Sequence, residues 1–247
     1  MKVSDSLINA AFGQHRRRYA TEAAWDVTYH VKLWSGAQSA FGTGGHDAFN
    51  NLYSELRANW QVFRGGTSHW EVDQAFDAFC NLDATFRSKR LSDLGLGDVP
   101  SLWALLQSVE PIKVLKYGPS VVAISKFLHF WNPRLFMIVD DGVIWKWVFA
   151  HRWIWNDLLL VRNEIDQLLG GVPKRPDVSC DNSTYLAILV WCSRLLRENP
   201  MIVTSFAAYV LSHVHQADAP ADLPGYESAA VEWFLLGVVE VPPAGIE

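Results

Sequence analysis

Two adjacent carboxylates, Asp140 and Asp141, follow the apolar run Phe136-Met137-Ile138-Val139 and precede a tryptophan-rich stretch, Val143-Ile144-Trp145-Lys146-Trp147. A carboxylate placed there has two uses. It caps the helix that follows, where the helix dipole favours negative charge. Alternatively it faces a cleft, stabilises positive charge developing on a substrate and takes a proton from attacking water. Two neighbouring aspartates allow a division of labour, one capping while the other faces the cleft. Upstream, Tyr117-Gly118-Pro119-Ser120 reads as a turn between two helices. Gly118 admits close backbone approach, Pro119 fixes the next dihedral and Ser120 is suited to cap the following helix. Backbone amides at such a turn point outward and can hold a phosphate.

Cations and flat rings surround these two features. Lys113 and Lys116 precede the turn, and Lys126 and His129 are expected together on the polar side of the helix after it. Trp131 and Trp145 flank the aspartates, within a chain that carries 12 tryptophans. That load calls for large aromatic cores or for surfaces that stack on planar ligands. The formal net charge is −5, which disfavours a protein that coats nucleic acid non-specifically. The charge is uneven, however. Residues 113–152 carry four Lys and two Arg against Asp140 and Asp141, whereas residues 216–247 carry six acids and no Lys or Arg. A basic centre inside an acidic chain suits contact with a short stretch of phosphate backbone.

The elements that must position these residues read as helices throughout. Helices are expected over 5–12 and 18–35, divided by Arg16-Arg17-Arg18, followed by a glycine-bearing loop over 36–47. A helix from Asp47 to Phe63 repeats Phe49, Leu52, Tyr53, Leu56 and Trp60 at helical spacing. The next carries Trp70, Phe76, Phe79 and Cys80. Residues 88–100 read as a polar connector, and Ser101 opens a helix to about Val109. Beyond the Asn132-Pro133 break, Leu135 to Val139 is β-branched enough for a short extended piece. Apolar helices are expected from Tyr185 to Leu196 and from Met201 to Val214, and a last one from Tyr226 to Leu236. With no alternating strand series, the fold class is all-α.

The order Gly118-Pro119-Ser120, helix, Phe136-Met137-Ile138-Val139-Asp140, then Val143 to Trp147 resembles the helix-hairpin-helix DNA glycosylase superfamily. The likeness covers roughly 30 to 40 residues and is clearest at Val139-Asp140. It implies two helical lobes with a cleft between them, here about 1–100 with 180–247, and 101–179. It implies a duplex DNA partner whose target base is flipped out. Asp140 would be the catalytic carboxylate, and Lys113, Lys116, Gly118, Ser120 and Lys126 would contact DNA. Asp141, His129, Trp131 and Trp145 would be candidates for the base pocket. Two departures sharpen the expectation. The family's usual Gly-x-Gly hairpin reads Gly118-Pro119-Ser120, and the lysine of the bifunctional members would fall at Val121 or Val122, with Lys126 about one turn further along. The resemblance therefore implies a monofunctional enzyme using water, acting on damaged bases or on modified bases of phage DNA, with no metal and no cofactor. The alternatives are a DNA-binding module without catalysis and a helical protein-interaction domain.

Other chemistry is disfavoured. The glycines of 36–47 lack the Lys-Ser/Thr of a nucleotide loop, and there is no Gly-x-Ser-x-Gly, His-Glu-x-x-His or dinucleotide pattern. His213 and His215 stand at i and i+2, which on a helix point to different faces. Cys80, Cys180 and Cys192 are odd in number and widely spaced, so a reducing compartment is expected. Met1 to Asp5 lacks the apolar run of a signal peptide, and no stretch reaches the roughly 20 apolar residues of a membrane span. A cytoplasmic location, away from membranes, is the expectation.

Overall fold

A computed structural model of the chain describes residues 2–19, 27–42, 45–58, 72–109, 121–139, 144, 148–149, 152–170 and 180–239. Among these, the regular structure is helical: α1 (Asp5–Tyr19), α2 (Val27–Ala40), α3 (Gly45–Ala58), α4 (Val72–Cys80), α5 (Val99–Val109), α6 (Val121–Trp131), α7 (Arg152–Leu168), α8 (Asn182–Glu198), α9 (Met201–Leu211) and α10 (Glu227–Val238), with short 3-10 turns at Ala84–Phe86, Leu96–Asp98 and Leu223–Gly225. The all-α class is therefore correct. None of the described helices is long and apolar enough to cross a membrane.

Three helices form the interior. In α6 every residue but Val122 is buried; in α10 all are, and in α8 so are Asn182 to Ser193. A helix that is apolar all round has no solvent face to offer and must be surrounded. The outer helices supply the cover: α1 lies on α10 and α9, α2 on α3 and α6, and α7 and α5 on α8. α1 and α10 approach closely at Gly237. A Cβ built on Gly237 would meet the Ala11 carbonyl oxygen at 1.9 Å, so only glycine admits this packing.

Two expected boundaries move. α1 continues through Arg16-Arg17-Arg18, because arginine is a good helix former and three in a row do not end a helix. α2 runs on through Gly36 to Ala40, where a loop was expected. Its buried Trp34, Ala37 and Ala40 recur at helical spacing, and that packing outweighs the cost of one glycine. The connector over 88–100 is polar only in part. Leu91 and Leu94 are fully buried. The Leu91 amide donates to the Arg134 carbonyl at 2.9 Å, and Ser193 Oγ donates to the Leu94 carbonyl at 2.7 Å.

A seam of rings joins α1, α2, α6, α9 and α10. The His15 imidazole stacks on Trp233 with centroids 4.9 Å apart, His30 meets Trp233 edge-on at 5.3 Å, and Trp34 lies against both Trp233 and Tyr226. Trp34 and Trp233, two of the 12 tryptophans, are thus used as core.

Candidate functional site

The segment that leads to the aspartates is a buried, irregular stretch of backbone. Asn132 ends α6; its amide donates to the Leu128 carbonyl at 2.8 Å, and its Nδ2 donates to the carbonyls of Phe86 and Lys89. Leu135 to Val139 are all at most 1% exposed. The short extended piece expected there does not form a strand. Without a partner strand, its buried polar groups need other partners, because an unsatisfied one costs about 1–3 kcal/mol.

Side chains from three interior helices provide them. From α6, Ser125 Oγ accepts the Val139 amide at 3.0 Å. From α8, the Tyr185 hydroxyl donates to the Met137 carbonyl at 2.8 Å. From α10, Ser228 Oγ lies 2.7 Å from the Pro133 carbonyl and 2.9 Å from the Phe136 carbonyl. His129 Nδ1 is 2.8 Å from the same Phe136 oxygen, and the Trp34 indole donates to His129 Nε2 at 3.0 Å. A carbonyl only accepts and an indole N–H only donates. His129 is thus a neutral imidazole with its proton on Nδ1. Burial pulls its pKa down to about 3; the Phe136 hydrogen bond opposes the shift and nearby His30 adds to it. Burial likewise pushes the Tyr185 hydroxyl well above its ordinary range, with lesser contributions from Cys180, Glu232 and Cys192, so it remains a donor.

The result is a platform: four consecutive apolar residues whose backbone is held from α6, α8 and α10, ending at Val139. Asp140 is the next residue in the chain. Asp140, Asp141, Trp145, Lys113, Lys116, Gly118 and Ser120 lie outside the described residues.

Three of the expected site residues are described, and their setting corrects the expectation. Lys126 and His129 do not form a polar face. They are 6% and 1% exposed, because α6 is enclosed on every side. With both ring nitrogens of His129 engaged inside the protein, neither is left for a base. Trp131, 3% exposed, has no open face for stacking. Its ring lies 5.9 Å from that of Phe136, and the Arg87 guanidinium sits 5.4 Å from its centroid. Lys126, close to the platform in sequence, has little surface to offer a phosphate. Conversely, Ser125, Tyr185, Ser228 and Trp34 were not singled out from the sequence. A lone serine in the apolar run Val121 to Trp131 was the one available signal.

No family model, curated protein or solved structure matches this chain.

Elsewhere, a groove between α7 and α8 is lined by Asp157, Glu164 and Glu198 against Arg194, with Leu160 and Trp191 among the apolar residues. Its charge has the wrong sign for phosphate. No group of three or more His, Cys, Asp or Glu among the described residues could hold a metal ion. His213 Nδ1 is turned onto the Tyr209 carbonyl of its own helix end at 2.8 Å. Of the three cysteines, Cys80 is exposed and Cys180 and Cys192 are buried.

Proposed function

We propose that this chain is a monofunctional DNA glycosylase of the helix-hairpin-helix type, with Asp140 as its catalytic carboxylate. The observation that carries the reading is the platform. A catalytic group must be held within about 0.5 Å of its productive position by supports that are themselves fixed. The segment that leads into Asp140 is tied down as far as Val139 by hydroxyl and imidazole groups from three interior helices, which supports the reading.

In this reading the Gly118-Pro119-Ser120 turn and Lys113 and Lys116 grip backbone phosphates beside a cleft between two lobes. The target base is flipped out, at an unstacking cost of a few kcal/mol that damage or modification lowers. As the N-glycosidic bond breaks, positive charge grows on the sugar and the Asp140 carboxylate stabilises it. Water attacks C1′ and gives a proton to Asp140, while the base leaves with the bonding electrons and takes a proton from solvent; Asp140 then returns its proton to solvent. The valines where a Schiff-base lysine would stand leave water as the nucleophile. Substrates are damaged bases or modified bases of invading phage DNA.

Base release from normal, oxidised, alkylated and phage-modified duplexes tests this. Release from one class is expected, with Asp140→Asn lowering it about 10²- to 10⁴-fold. Folded protein that releases nothing from any of them overturns it. The burial of His129 and Trp131, which removes two groups from the expected base pocket, favours a second reading: a DNA-binding module without catalysis. In that case Asp140→Asn leaves biological activity unchanged, and retention on DNA weakens as salt rises.

A further inference from the structure

Ser125 stands out among the groups that hold the platform. It is fully buried, the one hydroxyl in α6, and 14 residues from its partner in sequence. Its Oγ is 3.0 Å from the Val122 carbonyl and 3.4 Å from the Val139 carbonyl, and it receives the Val139 amide at 3.0 Å. A hydroxyl has one proton and two lone pairs. The shorter contact takes the proton, to Val122 within the helix, and a lone pair is left for the Val139 N–H. The hydroxyl is thereby oriented by its own helix before it meets the platform. Val139 is the last platform residue, and one peptide bond separates it from Asp140. The other supports act further back, at Pro133, Phe136 and Met137.

We infer that Ser125 is a positioning residue that sets where the chain enters Asp140, and through it the catalytic geometry; this rests on the glycosylase reading of the aspartate. A positioning role and a purely structural one differ in what Ser125→Ala does. If the serine only stabilises the fold, activity falls with the folded fraction. If it positions the carboxylate, kcat falls in protein that is fully folded, since displacing a reacting group by about 1 Å costs about 100-fold.

The experiment uses the full chain and has three parts. In the unmodified protein, the Val139 amide is followed by NMR-detected hydrogen exchange; it should be protected to the level of the α8 amides. Ser125→Ala should accelerate exchange at Val139 selectively. It should also lower kcat for base release about 10- to 100-fold at unchanged KM, with Ser125→Thr, which keeps the hydroxyl, recovering most of the loss. The control is Ser193→Ala. It removes an equally buried hydroxyl whose bond is to Leu94 in the connector, and it should leave kcat unaltered in folded protein. A Val139 amide that exchanges freely in the unmodified protein overturns the inference without any variant. So does a Ser125→Ala loss that merely tracks the folded fraction, as in Ser193→Ala. If the unmodified protein releases no base while exchange at Val139 still responds to Ser125→Ala, the glycosylase reading fails. The catalytic role of Ser125 fails with it, and the anchoring contact alone is verified.

Discussion

Two buried polar systems hold this molecule together, and they are built from opposite materials. Between α7 and α8 the bonds are ionic. Arg162 Nε donates to both Asp166 oxygens at 3.0 and 3.1 Å, and its terminal nitrogens reach Thr184 and Asp181. Ser183 Oγ completes Asp166 at 2.5 Å. Around the Phe136–Val139 platform the supports are neutral: two serines, a tyrosine, and an imidazole held uncharged by its surroundings. The difference follows from access to water. Asp181 keeps 55% of its side chain exposed and also caps α8 by accepting the Thr184 amide, so the ionic cluster shares its desolvation cost with solvent. The platform has no such outlet, and a bare charge there would cost several kcal/mol. Ions here fasten helix ends near the surface, while neutral hydroxyls hold irregular backbone in the interior.

Removing a charge from the ionic side should have the largest effect. Arg162→Ala strands Asp166, whose side chain is 9% exposed and which keeps the Ser183 hydroxyl as a partner. Loss of one partner of a buried ion pair costs about 3–5 kcal/mol. A urea midpoint within error of the parent protein would show that the cluster contributes nothing.

Acid should separate the neutral interior from the ionic cluster. His15 and His129 are both held to about 3 in the folded protein, chiefly by burial, against 6.5 for a free imidazole. The unfolded chain therefore binds protons that the folded one refuses. Stability is full above about pH 6.5 and is lost progressively as pH falls toward 3. At pH 5.5 each imidazole costs about 1.4 kcal/mol, or about 3 kcal/mol for the pair. Glu227 works in the other direction, because burial raises its carboxyl and stability gained from its protonation grows on acidification. Denaturation midpoints of the parent protein and of Glu227→Gln at pH 7.5 and 5.5 separate the two contributions; a higher midpoint at pH 5.5 in Glu227→Gln would contradict burial of the two rings.

The smallest effect expected is at Trp34. Trp34→Phe keeps a ring in the seam but removes the N–H that His129 Nε2 accepts. It leaves a buried acceptor unmet, at about 1–3 kcal/mol. The loss should shrink when His129→Leu is also present, and a double-mutant cycle reads that coupling. Strict additivity would mean that the indole and the imidazole act independently.

Helix type and order were legible from the sequence because they follow from periodicity. The repeats at Phe49-Leu52-Tyr53-Leu56 and across Tyr185 to Leu196 fall within α3 and α8. Boundaries were less legible. The Arg16-Arg17-Arg18 run and Gly36 look like breaks locally but lie inside α1 and α2, because arginine is a good helix former and the packing of Trp34, Ala37 and Ala40 outweighs one glycine. The polar residues of α6 were read the wrong way round. Lys126 and His129 look like a solvent face in a one-dimensional pattern, and nothing local announces that α6 is covered from all sides.

By itself the sequence determined an all-α chain and an apolar run that ends at Val139, just before Asp140. These depend on residue type and spacing within a few turns. Only the tertiary structure decided that His129 is a neutral core donor and that Trp131 is a wall. It also decided that the run before Asp140 is held by Ser125, Tyr185 and Ser228. Those partners lie 14, 48 and 92 residues from the groups they bind. A buried, unpaired stretch of backbone takes whichever donors and acceptors the folded helices bring to it, and no sequence pattern records which those will be.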